Sequence, residues 1–140
     1  MSKLRERLLD ASRSGVYRTS GVEALDDAVR GTRLNYAKVT LPVSATKASL
    51  LNATARALAF PEWFGENWDA LEDCLTDLSW READGHVLVF AGLEPSDDVG
   101  ILIDVLSASA AHWSARGKPF FAVLVDPERL LPVADLYRER

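Results

Sequence analysis

The sequence predicts an α/β protein in which helices pack on a small parallel β-sheet. Two segments, 86–91 (HVLVFA) and 120–125 (FFAVLV), are apolar without interruption, which is typical of parallel strands covered on both faces. A third segment, 34–43, alternates apolar and polar residues and also predicts a strand. Segments of helical periodicity separate these strands, and this order favours right-handed crossover connections. We therefore expect three core strands with helices packed on the sheet.

The N-terminal extension, residues 1–33, is predicted to form a helix, a short strand and a second helix. Apolar residues recur at helical spacing within 3–12 and again within 22–30. The segment 16–18 (VYR) separates these two helices and is flanked by two Ser-Gly pairs. It predicts a fourth strand, N-terminal in the chain, at an edge of the sheet. We expect the extension to pack on a domain formed by 34–140, so that the whole chain is one globular unit.

The strand over 34–43 contains Pro42, whose missing N–H favours a place at the edge of the sheet. Residues 44–59 are predicted to follow as a helix, with Ser44 or Thr46 as its N-cap. The buried stripe of this helix is expected to consist of Leu51, Ala55 and Leu58, with Leu50 beside them.

The second half of the chain contains one long helix between the two apolar strands. Asp97 or Asp98 is expected to cap it, and it is predicted to reach Arg116 before Gly117 ends it. A final helical turn or two is predicted over 131–138.

The segment 60–80 reads FPEWFGENWDALEDCLTDLSW and is strongly acidic. Residues 62–84 carry eight acidic side chains and one basic side chain, a net charge of −7, whereas the whole protein has a net charge of −5. Asn67 is expected to cap a helix that runs to about residue 79. One side of this helix carries Trp68, Leu71, Leu75 and Leu78; the opposite side carries Asp69, Asp73 and Asp77. The lack of interleaved bases predicts a surface kept negative for a positively charged partner.

The run PEWFGENWDALEDCLTDL, residues 61–78, resembles the signature of the barstar family, the intracellular inhibitors of small secreted ribonucleases. The run aligns with that signature without a gap. The matching features are the aromatic pair before Gly65, the GEN turn (65–67), and the short runs DAL (69–71) and DCLT (73–76). The order of the surrounding elements agrees over roughly 34–125. The resemblance implies a barstar-like fold and an inhibitor without enzymatic activity, of the immunity or antitoxin type. The acidic helix and its preceding loop would block the active site of a small basic ribonuclease.

By this resemblance the Asp73 carboxylate would occupy the centre of the ribonuclease active site as its central plug, and Asp69 would enter the same active site beside it. The expected partner-binding residues are Trp63, Gly65, Asn67, Asp69, Glu72, Asp73 and Asp77. Two positions depart from the family's best-known member, because Glu72 stands for a tryptophan and His112 for a glutamate. The resemblance implies a ribonuclease partner bound one to one and a free chain that is monomeric. No cofactor, metal or nucleic acid is expected.

Two alternatives stay open on the sequence. The first is a non-inhibitory interaction module, in which Trp63, Phe64 and Trp80 add an adhesive patch to the acidic surface, although Phe64 is expected in the core. The second is a hydrolase in which Asp69 and Asp73 act as acid and base or hold Mg²⁺.

Composition argues against several other classes of protein. Apolar and charged fractions of 48% and 26% are those of a globular protein, and no glycine-rich phosphate-binding motif is present. We expect His86 to be a turn residue and Cys74 a packing residue, which leaves too few ligands for a common metal site. No apolar run is long enough for a membrane span, and the N-terminus lacks the apolar core of a signal peptide. The single cysteine fits a reducing compartment, so a cytoplasmic location is expected.

Overall fold

The computed structural model describes residues 2–62 and 64–137. Within these residues the helices and strands are α1 (Lys3–Leu8), β1 (Gly15–Thr19), α2 (Glu23–Val29), β2 (Leu34–Thr40), α3 (Lys47–Ala57), α4 (Trp68–Leu75), β3 (Gly85–Ala91), α5 (Asp97–Ser114), β4 (Phe120–Val125) and β5 (Ala134–Asp135). The single helix predicted over 3–12 ends at Leu8, and a short 3₁₀ helix, Ala11–Arg13, follows it.

The strands form one parallel sheet in the order β2-β3-β4-β1-β5. This arrangement confirms the predicted α/β class, and β2 lies at an edge as the position of Pro42 predicts. The N-terminal strand β1 is not at an edge, because it pairs with β4 on one side and with β5 on the other. The N-terminal strand itself is confirmed, but its predicted position at an edge is wrong, and the sheet has one strand more than predicted.

The C-terminal strand β5 takes the place of the helical turn predicted over 131–138. The Arg18 guanidinium donates a hydrogen bond to the Asp135 carboxylate at 2.8 Å. The backbone oxygen of Arg18 accepts from the N–H of Leu136 at 2.9 Å, and the Leu136 side chain is fully buried. Pairing with a strand that is distant in sequence thus overrides the local helical pattern.

Helices cover both faces of the sheet. Residues that alternate along β3 and β4 contact α3, α4 and α5 on one face; they are Leu88, Phe90, Phe120, Ala122 and Leu124. The intervening residues contact α1 and α2 on the other face; they are Val87, Val89, Phe121 and Val123. Burial on both sides accounts for the uninterrupted apolar runs of the two strands. The boundary between an extension over 1–33 and a domain over 34–140 stays a prediction.

Side-chain caps set the starts of the two longest helices. Thr46, one of the two predicted alternatives, caps α3 in a capping box. The hydroxyl of Ser96 caps α5 by accepting a hydrogen bond from the N–H of Val99 at 3.1 Å, so neither Asp97 nor Asp98 is the cap. Both aspartates lie instead in the first turn, where the helix dipole favours a negative charge.

His86 lies in β3 and is 2% exposed, which corrects its prediction as a turn residue. Its Nδ1 lies 3.1 Å from the side-chain amide nitrogen of Asn35, which donates to it. The ring packs between Trp113 and Phe120. Burial, together with the nearby charges of Lys118 and Arg81, lowers the pKa of His86 to about 4.

We expect the free energy of unfolding to fall by roughly 2–3 kcal/mol through His86 as the pH drops from about 6.5 to about 4. The folded pKa is depressed, so the unfolded chain binds the proton first. The contribution of neutral His86 to the free energy of unfolding is therefore complete above its unfolded pKa of about 6.5, and it is lost as the pH falls toward the folded pKa of about 4. Urea unfolding at intervals from about pH 7 to about pH 4 measures this loss.

The variant His86→Gln should flatten the pH profile of stability, whereas His112→Gln should keep most of the slope because His112 is only partly buried. A wild-type stability that stays constant over this pH range would contradict the assignment to His86.

Candidate functional site

The acidic segment forms helix α4 and the loops on either side of it. Asn67 is the N-cap, as predicted, and its Oδ1 accepts a hydrogen bond from the N–H of Ala70 at 2.8 Å. Its Nδ2 donates to the carbonyl oxygen of Gly65 at 3.3 Å. Gly65 and Asn67 are both exposed, and these bonds hold the approach loop against the start of the helix.

The inner side of α4 packs into the core formed with α3 and α5, as predicted. Leu71 and Leu75 are fully buried, and Trp68 is half-buried against the same cluster. Leu78 is also buried, although it lies beyond the end of the helix. The outer side is thereby fixed toward solvent.

Helix α4 ends at Leu75, about one turn earlier than predicted. Thr76 is the C-cap, and its hydroxyl donates to the carbonyl oxygen of Glu72 at 2.8 Å. Leu78 then adopts a left-handed conformation with φ of 49°, which is uncommon for a residue other than glycine, and its side chain is buried. The expectation that Asp77 continues the helical row is therefore wrong, and Asp77 lies in the turn that follows.

The carboxylates of Asp69, Glu72, Asp73 and Asp77 all belong to exposed residues. Among the described residues, no nitrogen of a lysine, arginine or histidine lies within 4.0 Å of these carboxylates. The structure thus leaves all four carboxylates exposed, three of them on helix α4 and that of Asp77 in the turn that follows. Trp63, also predicted to contact the partner, lies outside the described residues.

A lysine from α3 adjoins this face, which the sequence interpretation missed. The Lys47 ammonium lies 5.9 Å from the centre of the Trp68 ring. It lines a shallow surface cavity of about 530 Å³ together with Asn67, Asp69 and Asp73. Lys47 belongs to a different element from the acidic segment, so only the packing of α3 beside α4 reveals the proximity.

Helix α5 supports the C-terminal end of α4. The indole N–H of Trp113 donates to the carbonyl oxygen of Leu75 at 2.7 Å, which satisfies one of the last carbonyls of the helix. His112 is half-buried beside Thr76. Burial, aided by the charge of Arg116, lowers the pKa of His112.

Aromatic side chains support the loop that precedes α4. Phe64 is half-buried, packs against the core as predicted, and meets Phe60 edge-on at a ring-centre distance of 5.0 Å. Trp80 meets Phe60 at 5.9 Å, and its indole N–H donates to the carbonyl oxygen of Leu58 at 2.9 Å. Phe64 and Trp80 therefore pack on the core, which weakens the alternative of an adhesive aromatic patch.

Cys74 is fully buried, as its prediction as a packing residue requires. Burial raises the pKa of its thiol to about 11, and the charges of Asp73 and Asp77 contribute to this increase, so a reactive thiolate is disfavoured.

The described residues hold no group of three or more His, Cys, Asp or Glu side chains placed to bind a metal ion. Within the described chain, every helix is too short or too polar to cross a bilayer.

Comparison with known families gives one result for the region that contains this site. A family model described as Barstar (barnase inhibitor) matches residues 35–125. The matched region runs from β2 to the end of β4 and includes all of α4 and its flanking loops. No curated protein matches the chain.

Proposed function

The chain belongs to the barstar family, and from that premise we propose that it inhibits a small basic ribonuclease by covering the enzyme's active site. Such an enzyme binds RNA phosphates through Lys, Arg and His side chains. Carboxylates presented by α4 would occupy those cationic positions and exclude the substrate. Electrostatic complementarity of this kind speeds association and sets specificity.

The observation that carries the proposal is the two-sided construction of α4. Its inner side is locked into the core by Leu71 and Leu75, while its outer side offers unpaired carboxylates. Unpaired like charges gain nothing from one another within the fold. They are therefore best explained by a positively charged partner.

Each predicted residue has a role in this proposal. Asp73, near the middle of the exposed face, would be the central plug, and Asp69 would enter the active site one turn earlier. Glu72 and Asp77 would extend the negative face. Trp63, Gly65 and Asn67 would pack around the rim of the cleft. The complex would contain one copy of each protein, the free chain would be monomeric, and the inhibitor would act in the cytoplasm before the enzyme is secreted.

Titration of the chain into barnase, and into basic ribonucleases captured on the immobilised chain from the host's lysate and medium, tests the proposal. RNA cleavage should disappear at one equivalent of inhibitor. If no ribonuclease loses activity, the interaction module is the better interpretation. Metal-dependent hydrolysis by the chain itself, abolished in Asp69→Asn, would instead favour the hydrolase.

The variant Lys47→Met is expected to bind a basic ribonuclease faster than the wild type does. The Lys47 ammonium shares a cavity with Asp69 and Asp73, and there it repels an approaching cation. At low ionic strength its removal should raise the association rate constant about threefold, and the gain should shrink at physiological salt. Stopped-flow association kinetics with barnase measure the change.

The matched control is Lys3→Met, which alters the net charge equally but lies in α1, outside the acidic segment. The control should change the association rate by less than about a factor of 1.5. Equal rates for the two variants would show that Lys47 has no particular influence on the acidic face.

A further inference from the structure

A second cavity lies at the amino ends of three parallel strands, formed by residues that immediately precede or begin β2, β3 and β4. Its volume is about 710 Å³, larger than that of the cavity beside Lys47. The charged residues that line it are Arg33, Arg81, Glu82, Asp84 and Lys118. Three cations thus face two carboxylates, in a protein whose net charge is negative.

Of the three cations, Arg33 has a carboxylate partner, because it lies 3.9 Å from Asp84. The other two, Arg81 and Lys118, have neutral partners. The half-buried Arg81 guanidinium donates to Oδ1 of Asn35 at 2.8 Å, and the half-buried Lys118 ammonium donates to the carbonyl oxygen of Ala83 at 3.0 Å. In the part of the chain that the structure describes, no carboxylate lies within 4.0 Å of Arg81 or Lys118.

Glu82, the other carboxylate of the lining, is exposed and forms no ion pair with a described residue, and Asn35, which also lines the cavity, is neutral. Asn35 joins Arg81 to His86: its Oδ1 accepts from Arg81, and its Nδ2 donates to Nδ1 of the buried His86. The ring is neutral at neutral pH, because burial and the charges of Lys118 and Arg81 lower its pKa. Two partly buried positive charges therefore lie beside the neutral side chains of Asn35 and His86, although buried charges are normally paired.

We propose that this cavity binds a phosphate-class oxyanion, held between Arg81 and Lys118 with Arg33 at the mouth. A guanidinium has five N–H donors and an ammonium has three. Each group spends one bond on its neutral partner, so donors remain for a tetrahedral anion. Charge-assisted bonds from both sides are the arrangement that phosphate recognition uses. The site is separate from the proposed ribonuclease contact and does not depend on it.

Titration of inorganic phosphate into the ¹⁵N-labelled full chain, against sodium chloride at equal ionic strength, tests the proposal. Phosphate should give saturable shifts at Arg81, His86 and Lys118 with a dissociation constant of about 1 mM or lower, and chloride should not. Phosphate should also raise the pKa of His86, because the anion offsets the charges that depress it. A nucleoside 3′-monophosphate serves as a second probe: binding at least about fivefold tighter than phosphate identifies a nucleotide as the ligand, and equal affinity identifies free phosphate.

The charge-removing variant is Lys118→Met, which keeps a side-chain stem of similar length near the Trp113 ring. It should weaken phosphate binding at least fivefold, whereas Lys3→Met should bind phosphate as the wild type does. The amide spectrum shows whether each variant is folded, and Arg33→Gln provides a second test that leaves the Asn35 bond to Arg81 intact. Shifts that never saturate, that chloride reproduces, or that Lys118→Met and Arg33→Gln both leave unchanged would overturn the proposal.

Discussion

Replacing Asp73 by alanine is expected to weaken the complex with the inhibited ribonuclease by about 2–5 kcal/mol. This is the general range for removing one partner of a buried charge pair at a protein interface, and the barnase–barstar complex is one of the systems in which such pairs have been measured. The loss arises because a Lys or Arg of the enzyme is left buried without its partner. The free protein should keep its stability within about 0.5 kcal/mol, because Asp73 is exposed and its removal relieves repulsion with Asp69. Inhibition constants and thermal melts measure the two effects.

The control for charge alone is Glu128→Ala, which removes one exposed carboxylate outside the acidic segment. It should change binding far less than Asp73→Ala does, while Asp69→Ala should resemble Asp73→Ala. If Asp73→Ala melts far below the wild type yet inhibits equally well, the carboxylate is structural and the proposed contact is wrong.

Replacing Leu75 by alanine is expected to have the opposite pattern and to destabilise the fold by about 2–5 kcal/mol. Leu75 is fully buried between α4 and its neighbours, so truncation leaves a cavity in the main core. The folded fraction should still bind the ribonuclease, because the side chain points away from the acidic face. Urea unfolding gives the change in the free energy of unfolding.

The same substitution at an exposed leucine, Leu130→Ala, controls for the change in composition. Leu130 is 58% exposed, so its truncation should cost no more than about 0.5 kcal/mol. A Leu75→Ala variant as stable as Leu130→Ala would show that α4 is not anchored through this residue.

The parts of the fold that the sequence predicts well are those whose signal is local. An uninterrupted apolar run predicts β4 with both bounds correct, and Asn67 marks the start of α4, because one side chain supplies the cap. The end of α4 was harder to predict because Thr76 and the left-handed Leu78 stop a helix that the spacing of apolar residues would continue.

Features made by distant segments could not be predicted in this way. Strand β5 has two residues and is held by Arg18, more than a hundred positions earlier in the chain. The lysine beside the acidic face comes from α3, and the cations of the second cavity come from three separate loops. The exposure of the four carboxylates could be expected from the sequence because one short segment carries them all, and their role in binding stays a prediction.

The position of β1 between β4 and β5 has a consequence for biosynthesis. Strand β1 leaves the ribosome before β4 and β5 and can pair on neither side until they are synthesised. The contact between Ser14 and Phe120 alone spans 106 residues. Non-local parallel pairing folds slowly, because the entropy of closing the loop is lost before the contacts form. Until β3 and β4 are synthesised, the apolar side chains of α1 and α2 lack their sheet partners, and exposed apolar surface of this kind favours aggregation.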